Sequence, residues 1–454
     1  MADTIAAVAT APAVSAIGII RLSGQDALAI AKRVFFASLD LAARPREMIY
    51  GKITDISGTL LDSGLAVYMK APASYTGEDT VEFFSHGSPI VIREIMAALC
   101  RAGARSALPG EYTRRAFLNK KMDLTQAEAV IDLIDSETVA AARNAAAQMQ
   151  GGMGKKITAS RDKLLDIAAS FYAYVDYPDE EIDELECNSM IDILTTVAKE
   201  LVCLADSFNT GRILKSGVRC AIIGRPNAGK SSVLNELLGF ERSIVSPIAG
   251  TTRDTVEESA RVGDIALHLI DTAGLRECDD AIEKMGVARS RAAAQEAQLV
   301  LAVFDGACEL CSEDLEVLSL ARGRHAIAII NKSDMAMRVD INAIKDVFGD
   351  NFCIVSAQES TGFDALDGLV SRMFNIAGVQ HSDGMVVTNV RHAEALRSAG
   401  EITARAADTL KNGFTPDVAA QDIEEAINAL GELTGETASS QIIERIFTRF
   451  CVGK

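Results

Sequence analysis

One short string, Gly224-Arg-Pro-Asn-Ala-Gly-Lys-Ser231, restricts the possible folds of this chain more than any other feature of the sequence. It follows the apolar run Val218 to Ile223 and precedes the helix-like segment Ser231 to Leu238. A G-x-x-x-x-G-K-S string between a strand and a helix is typical of a P-loop, whose glycines let backbone N–H groups point at phosphates. Lys230 would add a positive charge and Ser231 an oxygen ligand for Mg²⁺. The string therefore predicts an α/β domain that binds a nucleoside triphosphate.

Four further strings follow in an order typical of guanine-nucleotide-binding proteins: Gly250-Thr-Thr-Arg-Asp254, Asp271-Thr-Ala-Gly274, Asn331-Lys-Ser-Asp334 and Ser356-Ala357. The Asp334 carboxylate can accept hydrogen bonds from N1–H and the 2-amino group of guanine, so rejection of adenine by roughly 10⁴-fold is expected. The strings predict a Ras-like GTPase that uses Mg²⁺. The predicted GTP-binding residues are Asn227, Ala228, Gly229, Lys230, Ser231, Ser232, Ser246, Pro247, Ile248, Ala249, Gly250, Thr251, Thr252, Asp271, Thr272, Ala273, Gly274, Asn331, Lys332, Ser333, Asp334, Ser356 and Ala357.

The residue that orients the attacking water is not the usual one. Ras-like enzymes use a Gln soon after the D-x-x-G string, and here that position is Leu275, whose apolar side chain does not polarise water. Four acids follow in the same loop, and each either orients water or simply solvates the loop. They are Glu277, Asp279, Asp280 and Glu283.

Asn227 also has two interpretations. Its side-chain carbonyl either helps to hold a K⁺ ion against the phosphates, with backbone carbonyls of residues 246–251 completing the shell, or it forms a turn after Pro226. Such an ion would neutralise the charge that an arginine finger covers in other GTPases.

The charge of the chain limits its partners. Lys and Arg number 45 against 63 Asp and Glu, a formal net charge of −18, so any RNA contact needs a local basic patch. The densest basic cluster is either such a patch or solvated charge. It consists of Arg114, Arg115, Lys120 and Lys121. No apolar run approaches the roughly 18 residues of a membrane span, and Asp3 and Pro12 argue against a signal peptide.

The nine cysteines are dispersed and odd in number, which indicates a reducing, cytoplasmic compartment. Cys308-Glu-Leu-Cys311 has metal-like spacing. No second pair and no nearby His accompany it, so zinc is not expected there.

The chain divides into four consecutive parts. Residues 1–118 contain short strands and a helix at Pro89 to Ala102, which predicts an α+β domain. Residues 119–215 and 379–454 carry apolar stripes at helical spacing, and residues 216–378 contain the nucleotide strings. Because each helical half has an apolar face to bury, we expect one discontinuous helical domain into which the GTPase domain is inserted.

Local patterns predict where the helices begin and end. Thr125-x-x-Glu128 matches a capping box, and Gly151-Gly152 would end the helix that follows. The helical pattern stops at Gly211. Glycines at 211–217 and 378–384 would act as joints that carry ligand-driven motion of the inserted domain to the helices.

Taken together, these parts resemble a known family. The α+β head, the split helical domain, the insert with Asp271-Thr-Ala-Gly-Leu-Arg276 and the terminal Cys451-Val-Gly-Lys454 resemble the MnmE (TrmE) family of tRNA-modifying GTPases. The resemblance covers the whole chain, and its most specific element is the C-x-G-K tail, which related ribosome-assembly GTPases lack. It implies a tetrahydrofolate-binding head that forms a homodimer. It also implies a heterotetramer with an FAD-carrying, MnmG-like partner, which installs an aminomethyl or carboxymethylaminomethyl group on the wobble uridine of tRNA.

The resemblance also assigns roles to particular residues. It implies 5-formyltetrahydrofolate contacts at Arg21, Glu78, Lys121 and Lys454. It implies K⁺ ligands at Asn227, Ser246, Ile248 and Thr251, and Mg²⁺ ligands at Ser231 and Thr252. Glu283 matches the acid that orients water in the family. Many relatives carry Thr where this chain has Ser246, and either hydroxyl can ligate K⁺.

The role of Cys451 and the function of the whole chain each have more than one interpretation. A thiol at Cys451 beside a folate suggests a covalent role, yet a cysteine next to Phe450 is equally an apolar, buried residue. The function also has rivals: a GTP-dependent ribosome-assembly switch without RNA chemistry, or a folate-binding protein with a vestigial GTPase unit. Folate binding and association with an FAD protein distinguish the three.

Overall fold

The computed structural model describes residues 3–176, 184–239, 258–270, 292–375, 385–448 and 450–453. Two compact units emerge. Unit 1 comprises Met1–Ile131, Gln148–Glu181 and Ile423–Lys454, and unit 2 comprises Asp132–Ala147 and Ile182–Asp422. The four-part division at residues 118, 215 and 378 stays a prediction.

Strands and helices follow one another in a mixed order. The strands are β1 Ile5–Val8, β2 Ser15–Ser23, β3 Phe35–Phe36, β4 Ile49–Thr54, β5 Leu60–Met69, β6 Thr80–Gly87, β7 Arg105–Ser106, β8 Val218–Ile223, β9 Glu258–Val262, β10 Ile265–Leu269, β11 Leu299–Asp305, β12 Ala326–Asn331 and β13 Phe352–Ile354. The helices are α1 Ala27–Val34, α2 Pro89–Arg101, α3 Glu111–Leu118, α4 Leu124–Ile134, α5 Val139–Met149, α6 Gly152–Asp176, α7 Glu184–Asp206, α8 Phe208–Ser216, α9 Lys230–Gly239, α10 Ser312–Ala321, α11 Ile341–Phe348, α12 Asp364–Met373, α13 Val390–Lys411, α14 Pro416–Thr434 and α15 Ser440–Phe447.

Unit 1 contains a seven-stranded mixed sheet in the order β3-β4-β5-β6-β2-β1-β7. Neighbouring strands in this sheet are antiparallel, except β1 and β7, which are parallel. One face is apolar and is covered by α1 and α2, whose buried residues include Ile30 and Ile95. The predicted α+β arrangement of the N-terminal part is therefore confirmed.

The end of the chain packs within unit 1. Ile446, Phe447 and Phe450 form an apolar cluster with residues of α4, among them Leu124. Val452 then makes a β-bridge with Pro109. The terminal motif is thus fixed against the segment that precedes α3.

Unit 2 contains a six-stranded sheet in the order β13-β12-β11-β8-β10-β9, parallel except for the edge strand β9. Every residue of β11 and β12 is buried, as expected for inner strands covered on both faces. Separate apolar clusters lie on the two faces, one including Leu234 of α9 and Leu366 of α12, the other Leu318 of α10 and Ile344 of α11. This is the doubly wound α/β domain that the sequence predicts.

The long helices α7 and α13 also pack against each other in unit 2. The predicted stripe at Leu396, Ala399, Ile402 and Ala406 is buried in α13. Gly400 of α13 lies against Val202 of α7, where a Cβ would come within 2.8 Å of the valine side chain. The helical character of these segments is confirmed.

Three predicted helix boundaries are wrong. The helix that begins after the predicted capping box does not run to Gly151: α4 ends at Ile134, α5 follows, and Gly152 begins α6. Gly211 lies inside α8, where a Cβ would overlap the Val387 carbonyl oxygen, so this glycine permits close packing and does not end the helix. The capping box of α4 involves Asp123 and Gln126: Asp123 Oδ1 accepts from Gln126 N–H at 2.8 Å, and Gln126 Oε1 accepts from Asp123 N–H at 2.9 Å. Thr125 is fully buried and donates its hydroxyl to Asp123, which explains why it does not cap.

No helix within the described ranges combines the length and the apolar character needed to cross a bilayer.

Candidate nucleotide-binding site

The functional loops meet at one edge of the six-stranded sheet. Strands β8, β11, β12 and β13 are parallel neighbours, so their carboxyl ends lie side by side, where open α/β sheets bind ligands. The P-loop follows β8, Asp305 ends β11, Asn331 ends β12 and Ser356 follows β13. The register places Asp305 opposite Asn331. Strand order thus brings together strings that are distant in the sequence.

The P-loop folds back on its own lysine. Lys230 Nζ donates to the carbonyl oxygens of Gly224 and Arg225, each at 2.8 Å. Gly229 has a φ of +95°, and a Cβ there would overlap the Asn331 side chain, so this position requires glycine. The loop therefore has the close backbone approach that a phosphate cradle needs.

Residues next to the lysine suit a phosphate and a magnesium ion. Ala228 is buried, Ser231 is half-buried in the first turn of α9, and Ser232 is exposed. A helix N-terminus favours anions, and a hydroxyl oxygen is a ligand that Mg²⁺ accepts. Asn227 has a φ of +59°, so its backbone forms the predicted turn. Its side chain is exposed, and its K⁺ role stays a prediction.

Asn331 joins the P-loop to the base-recognition loops. Its Nδ2 donates to the Ala228 carbonyl oxygen at 3.1 Å, and its Oδ1 accepts from the Ala357 N–H at 3.0 Å. Asn331 is only 3% exposed, so both bonds are shielded from water. One amide therefore positions the loop assigned to the phosphates and a loop assigned to the base.

Asp334, the predicted guanine-reading residue, is oriented by Ser356. The Ser356 hydroxyl donates to Asp334 Oδ1 at 2.6 Å, and Ser356 is fully buried. Asp334 is exposed, so its carboxylate is held by a buried donor and yet accessible to a base.

The backbone N–H groups of Ser356 and Ala357, which are candidates for donation to guanine O6, already have protein acceptors. Ser356 N–H donates to the Thr361 carbonyl oxygen at 3.0 Å, and Ala357 N–H donates to Asn331. A guanine would have to compete with these acceptors. Next to them, Ser333 N–H donates to the Val355 carbonyl oxygen at 3.1 Å.

A charged network that sequence reasoning missed connects the loops. Asp305 Oδ2 accepts from Lys332 Nζ at 2.7 Å and lies 3.6 Å from Arg225 Nη2. Arg225 Nε in turn lies 3.4 Å from Asp314 Oδ2. Burial disfavours the charge of Asp305, but the hydrogen bonds from Lys332 and the Ala307 N–H, together with the charges of Lys332 and Arg225, lower the pKa of this carboxyl below its usual value. The signal available in the sequence was an Asp at the end of the apolar run that forms β11.

Several predicted site residues lie outside the described residues. Among them are the second Mg²⁺ ligand, three K⁺ ligands, the water-orienting acid and one folate contact. These residues are Ser246, Pro247, Ile248, Ala249, Gly250, Thr251, Thr252, Asp271, Thr272, Ala273, Gly274, Glu283 and Lys454.

The other three predicted folate contacts surround the segment between β5 and β6 in unit 1. The Arg21 guanidinium lies 5.6 Å from the ring centroid of Tyr75, which belongs to this segment. Lys121 Nζ donates to the carbonyl oxygen of Pro72 at 3.1 Å, and Glu78 lies near the end of the segment. The fold thus brings Arg21, Glu78 and Lys121 to one place.

Two of these side chains also have partners in the sheet. Arg21 Nε donates to Glu82 Oε1 at 2.6 Å. Glu78 Oε2 accepts from Ser23 Oγ at 2.9 Å and from Arg115 Nη1 at 3.0 Å. These contacts hold Arg21 and Glu78 in fixed positions, as a preformed ligand site requires.

The predicted basic cluster is not one surface. Arg115 is buried and pairs with Asp3, Glu78 and Glu111. Its three companions are exposed. They are Arg114, Lys120 and Lys121. Arg115 therefore contributes to the packing of unit 1 and is unavailable to RNA.

Cys451 is exposed, whereas its neighbour Phe450 is buried. The interpretation of Cys451 as a buried apolar residue is therefore wrong. Gly110 N–H donates to the Cys451 carbonyl oxygen at 3.3 Å, so the backbone at this thiol is fixed.

Comparison with known proteins gives consistent matches over the whole chain. The profile described as the GTP-binding protein TrmE N-terminus matches residues 4–121, and that of the MnmE helical domain matches residues 124–451. The tRNA modification GTPase MnmE of Roseiflexus sp. (strain RS-1) is 42% identical over 461 residues, covering 100% of this chain and 99% of the relative. The protein of the same name from Thermoanaerobacter pseudethanolicus (strain ATCC 33223 / 39E) is 40% identical over 457 residues, with the same coverage.

Solved structures match a smaller part of the chain. A crystal structure of Era in complex with MgGDPNP and a segment of 16S ribosomal RNA covers 35% of this chain and 56% of Era, at 28% identity and a TM-score of 0.26. This score is too low to describe the fold of the whole chain.

Proposed function

The chain belongs to the MnmE family of tRNA modification GTPases, and we propose that it acts with an FAD-containing, MnmG-like partner to add an aminomethyl or carboxymethylaminomethyl group to C5 of the wobble uridine. The observation that best supports the GTP-driven part is the junction at Asn331, which ties the phosphate loop to a base loop beside an oriented Asp334. The reaction would take place in the cytoplasm, where tRNA is found.

GTP turnover in this proposal uses residues of the chain and two cations. Lys230 holds the β- and γ-phosphates, and Asp334 selects guanine. Ser231 and Thr252 would hold Mg²⁺, which would supply positive charge next to the phosphates. Asn227, Ser246, Ile248 and Thr251 would hold K⁺, which would supply the charge that an arginine finger provides in other GTPases. Glu283 orients the attacking water.

The one-carbon part of the proposal concerns unit 1. Basic side chains suit the carboxylates of a folate, and a Glu can pair with the donor edge of a pterin. Arg21, Glu78 and Lys121 lie around one segment, which supports a shared ligand such as 5-formyltetrahydrofolate. Lys454 and the exposed Cys451 would complete this site from the terminal motif, and the head would form a homodimer.

Motion links the two activities in this proposal. The parts are a folate head at residues 1–118, a helical domain at 119–215 and 379–454, and a GTPase domain at 216–378. The segment that follows the predicted joint at residues 378–384 is held by two hydrogen bonds: Val387 N–H donates to Ser207 Oγ at 3.0 Å, and the Thr388 hydroxyl donates to Asp132 Oδ2 at 2.7 Å. Because this segment is held in place, movement at the joint would be transmitted to α13.

The test is to analyse wobble uridine by mass spectrometry in tRNA from a bacterial host that lacks its own family member. Restored C5 modification by the wild type, and none by a Lys230→Ala variant that accumulates to the same level, is the expected result. Unmodified tRNA with the wild type, despite K⁺-dependent GTP hydrolysis by the purified chain, would reject the RNA chemistry and favour an assembly switch. Hydrolysis as fast in sodium as in potassium would reject the K⁺ site.

A further inference from the structure

The loop between β11 and α10 contains two cysteines that the GTPase function does not use. Cys308 is exposed and Cys311 is half-buried. Cys311 is the N-cap residue of α10. Reactive cysteine pairs have this C-x-x-C spacing and lie, partly exposed, at helix N-termini beside positive charge.

A buried carboxylate connects this loop to the P-loop arginine. Cys311 Sγ donates to Asp314 Oδ2 at 3.3 Å, and Arg225 Nε lies 3.4 Å from the same oxygen. The Asp314 side chain is 3% exposed, and its Oδ1 has no hydrogen-bond partner in the described part of the chain. The Cys311 N–H also donates to Asp314 Oδ2, at 3.1 Å, so Cys311 supplies two donors to one oxygen of this buried carboxylate and none to the other.

Both sulfur atoms also lie close to Arg225. Burial disfavours the charge of this guanidinium, but a side-chain hydrogen bond with Cys308 and the proximity of Asp314, Cys311 and Cys308 raise its pKa. A change at either cysteine therefore alters the electrostatic surroundings of Arg225.

Arg225 leads directly to the nucleotide site. Its carbonyl oxygen accepts from Lys230 Nζ at 2.8 Å, and its guanidinium approaches Asp305, which holds Lys332. The two cysteines are therefore connected through Arg225 to the lysine of the P-loop and to the lysine of the base-recognition string.

We propose that Cys308 and Cys311 form a reversible disulfide on exposure to a peroxide, and that this disulfide weakens guanine-nucleotide binding. The two thiols lose two protons and two electrons as the S–S bond forms, and hydrogen peroxide is reduced to two water molecules. A dithiol reverses the step by thiol–disulfide exchange.

The structure indicates the direction of the effect. Oxidation removes the S–H donor of Cys311, which leaves Arg225 as the side chain that still contacts Asp314 within the described ranges. Asp314 would then attract Arg225 more strongly and move it away from Asp305. This movement would distort the P-loop, in which the Arg225 carbonyl oxygen accepts a hydrogen bond from Lys230. Both changes oppose the loop conformation that holds phosphates.

Across the residues that the structure describes, no group of three or more His, Cys, Asp or Glu side chains could hold a metal ion.

The test compares fluorescent GDP binding by the full-length protein before and after treatment with hydrogen peroxide, with peptide mapping of the disulfide. We expect a Cys308–Cys311 crosslink and a rise in Kd of about fivefold, on the scale of one lost hydrogen bond. Dithiothreitol should remove the crosslink and return the Kd to its value before oxidation. A crosslink without a change in Kd would overturn the proposal, as would the absence of the crosslink at peroxide levels that oxidise the exposed Cys203.

Matched serine variants separate this effect from general oxidation. Cys308→Ser and Cys311→Ser should bind GDP as the reduced wild type does and lose their sensitivity to peroxide. Serine is a good N-cap, so the 311 variant should keep its fold. Cys203→Ser, in α7, should remain as sensitive as the wild type. Persistent sensitivity in either loop variant would reject the assignment.

Discussion

Asn144 and Val386 are held together by two hydrogen bonds although 242 positions separate them. Asn144 Oδ1 accepts from the Val386 N–H at 2.9 Å, and its Nδ2 donates to the Val386 carbonyl oxygen at 3.2 Å. Both residues are buried. The side chain thereby satisfies the backbone just before α13, where no regular secondary structure does so.

Replacing Asn144 with Ala should therefore destabilise unit 2. Two buried backbone groups would each lose a hydrogen bond, at about 1 kcal/mol each. Urea unfolding of the full chain measures the change. Asn342→Ala, at an exposed position of α11, is the control and should change stability by less than about 0.5 kcal/mol. Equal effects of the two variants would contradict the structural role of Asn144.

Asp334→Asn should shift the preference from guanine to xanthine nucleotides, because an amide donates where the carboxylate accepts. Competition between GDP and XDP for the purified protein measures the shift. Asp340→Asn makes the same change in the cap of α11 and should keep the guanine preference. Unchanged GDP affinity in the Asp334 variant would mean that the base binds elsewhere.

Ser356→Ala should weaken binding of GDP and GTP alike without changing base preference. The variant removes the donor that orients Asp334, a loss of about 1 kcal/mol or roughly fivefold in Kd. Equilibrium binding of fluorescent nucleotides provides the measurement. A shift in preference toward xanthine would show instead that Ser356 contacts the base.

Glu283→Ala should leave GTP binding nearly intact and slow hydrolysis by about 10²-fold, as expected when a water-orienting acid is lost. Single-turnover hydrolysis in K⁺ buffer measures this. Asp280→Ala is the matched control, since Asp280 is another acid of the same loop. A larger defect in the control would transfer the role to Asp280.

The stability of unit 1 should depend on pH through the ionisation of Asp3. A hydrogen bond from Arg105 lowers the pKa of this carboxyl from 3.8 to about 2. Its contribution to stability is therefore complete above pH 3.8 and lost as the pH falls towards 2. The stability gap between wild type and Asp3→Asn, from urea unfolding, should shrink over this range. A gap that stays constant over this pH range would contradict the prediction.

The sequence predicts best where one local pattern determines the structure. The P-loop strand has the predicted bounds Val218–Ile223, because an apolar run, a glycine loop and a helix must follow one another there. The helix at Pro89 ends within one residue of its predicted limit. For the same reason, the sequence could place Lys230 between a strand and a helix and Asn331 next to the end of a strand.

Interactions between distant segments could not be predicted. Nothing in the sequence pairs Asn144 with Val386 or Asp305 with Lys332, because neither pair belongs to a local pattern. The prediction for Gly211 is wrong because a glycine that ends a helix and a glycine that permits close packing can have the same sequence pattern. Only the position of the Val387 backbone distinguishes the two cases here.

The contact between Phe447 and Leu124 has a consequence during translation. A ribosome exposes Leu124 early, and its aromatic partner emerges only after every residue of unit 2 has been made. Every residue of unit 2 is therefore available to fold before Phe447 is made, whereas the surface of unit 1 around Leu124 stays uncovered until then. Meanwhile the uncovered leucine face is a target for chaperones, so truncated nascent chains should be far more prone to aggregate than released ones.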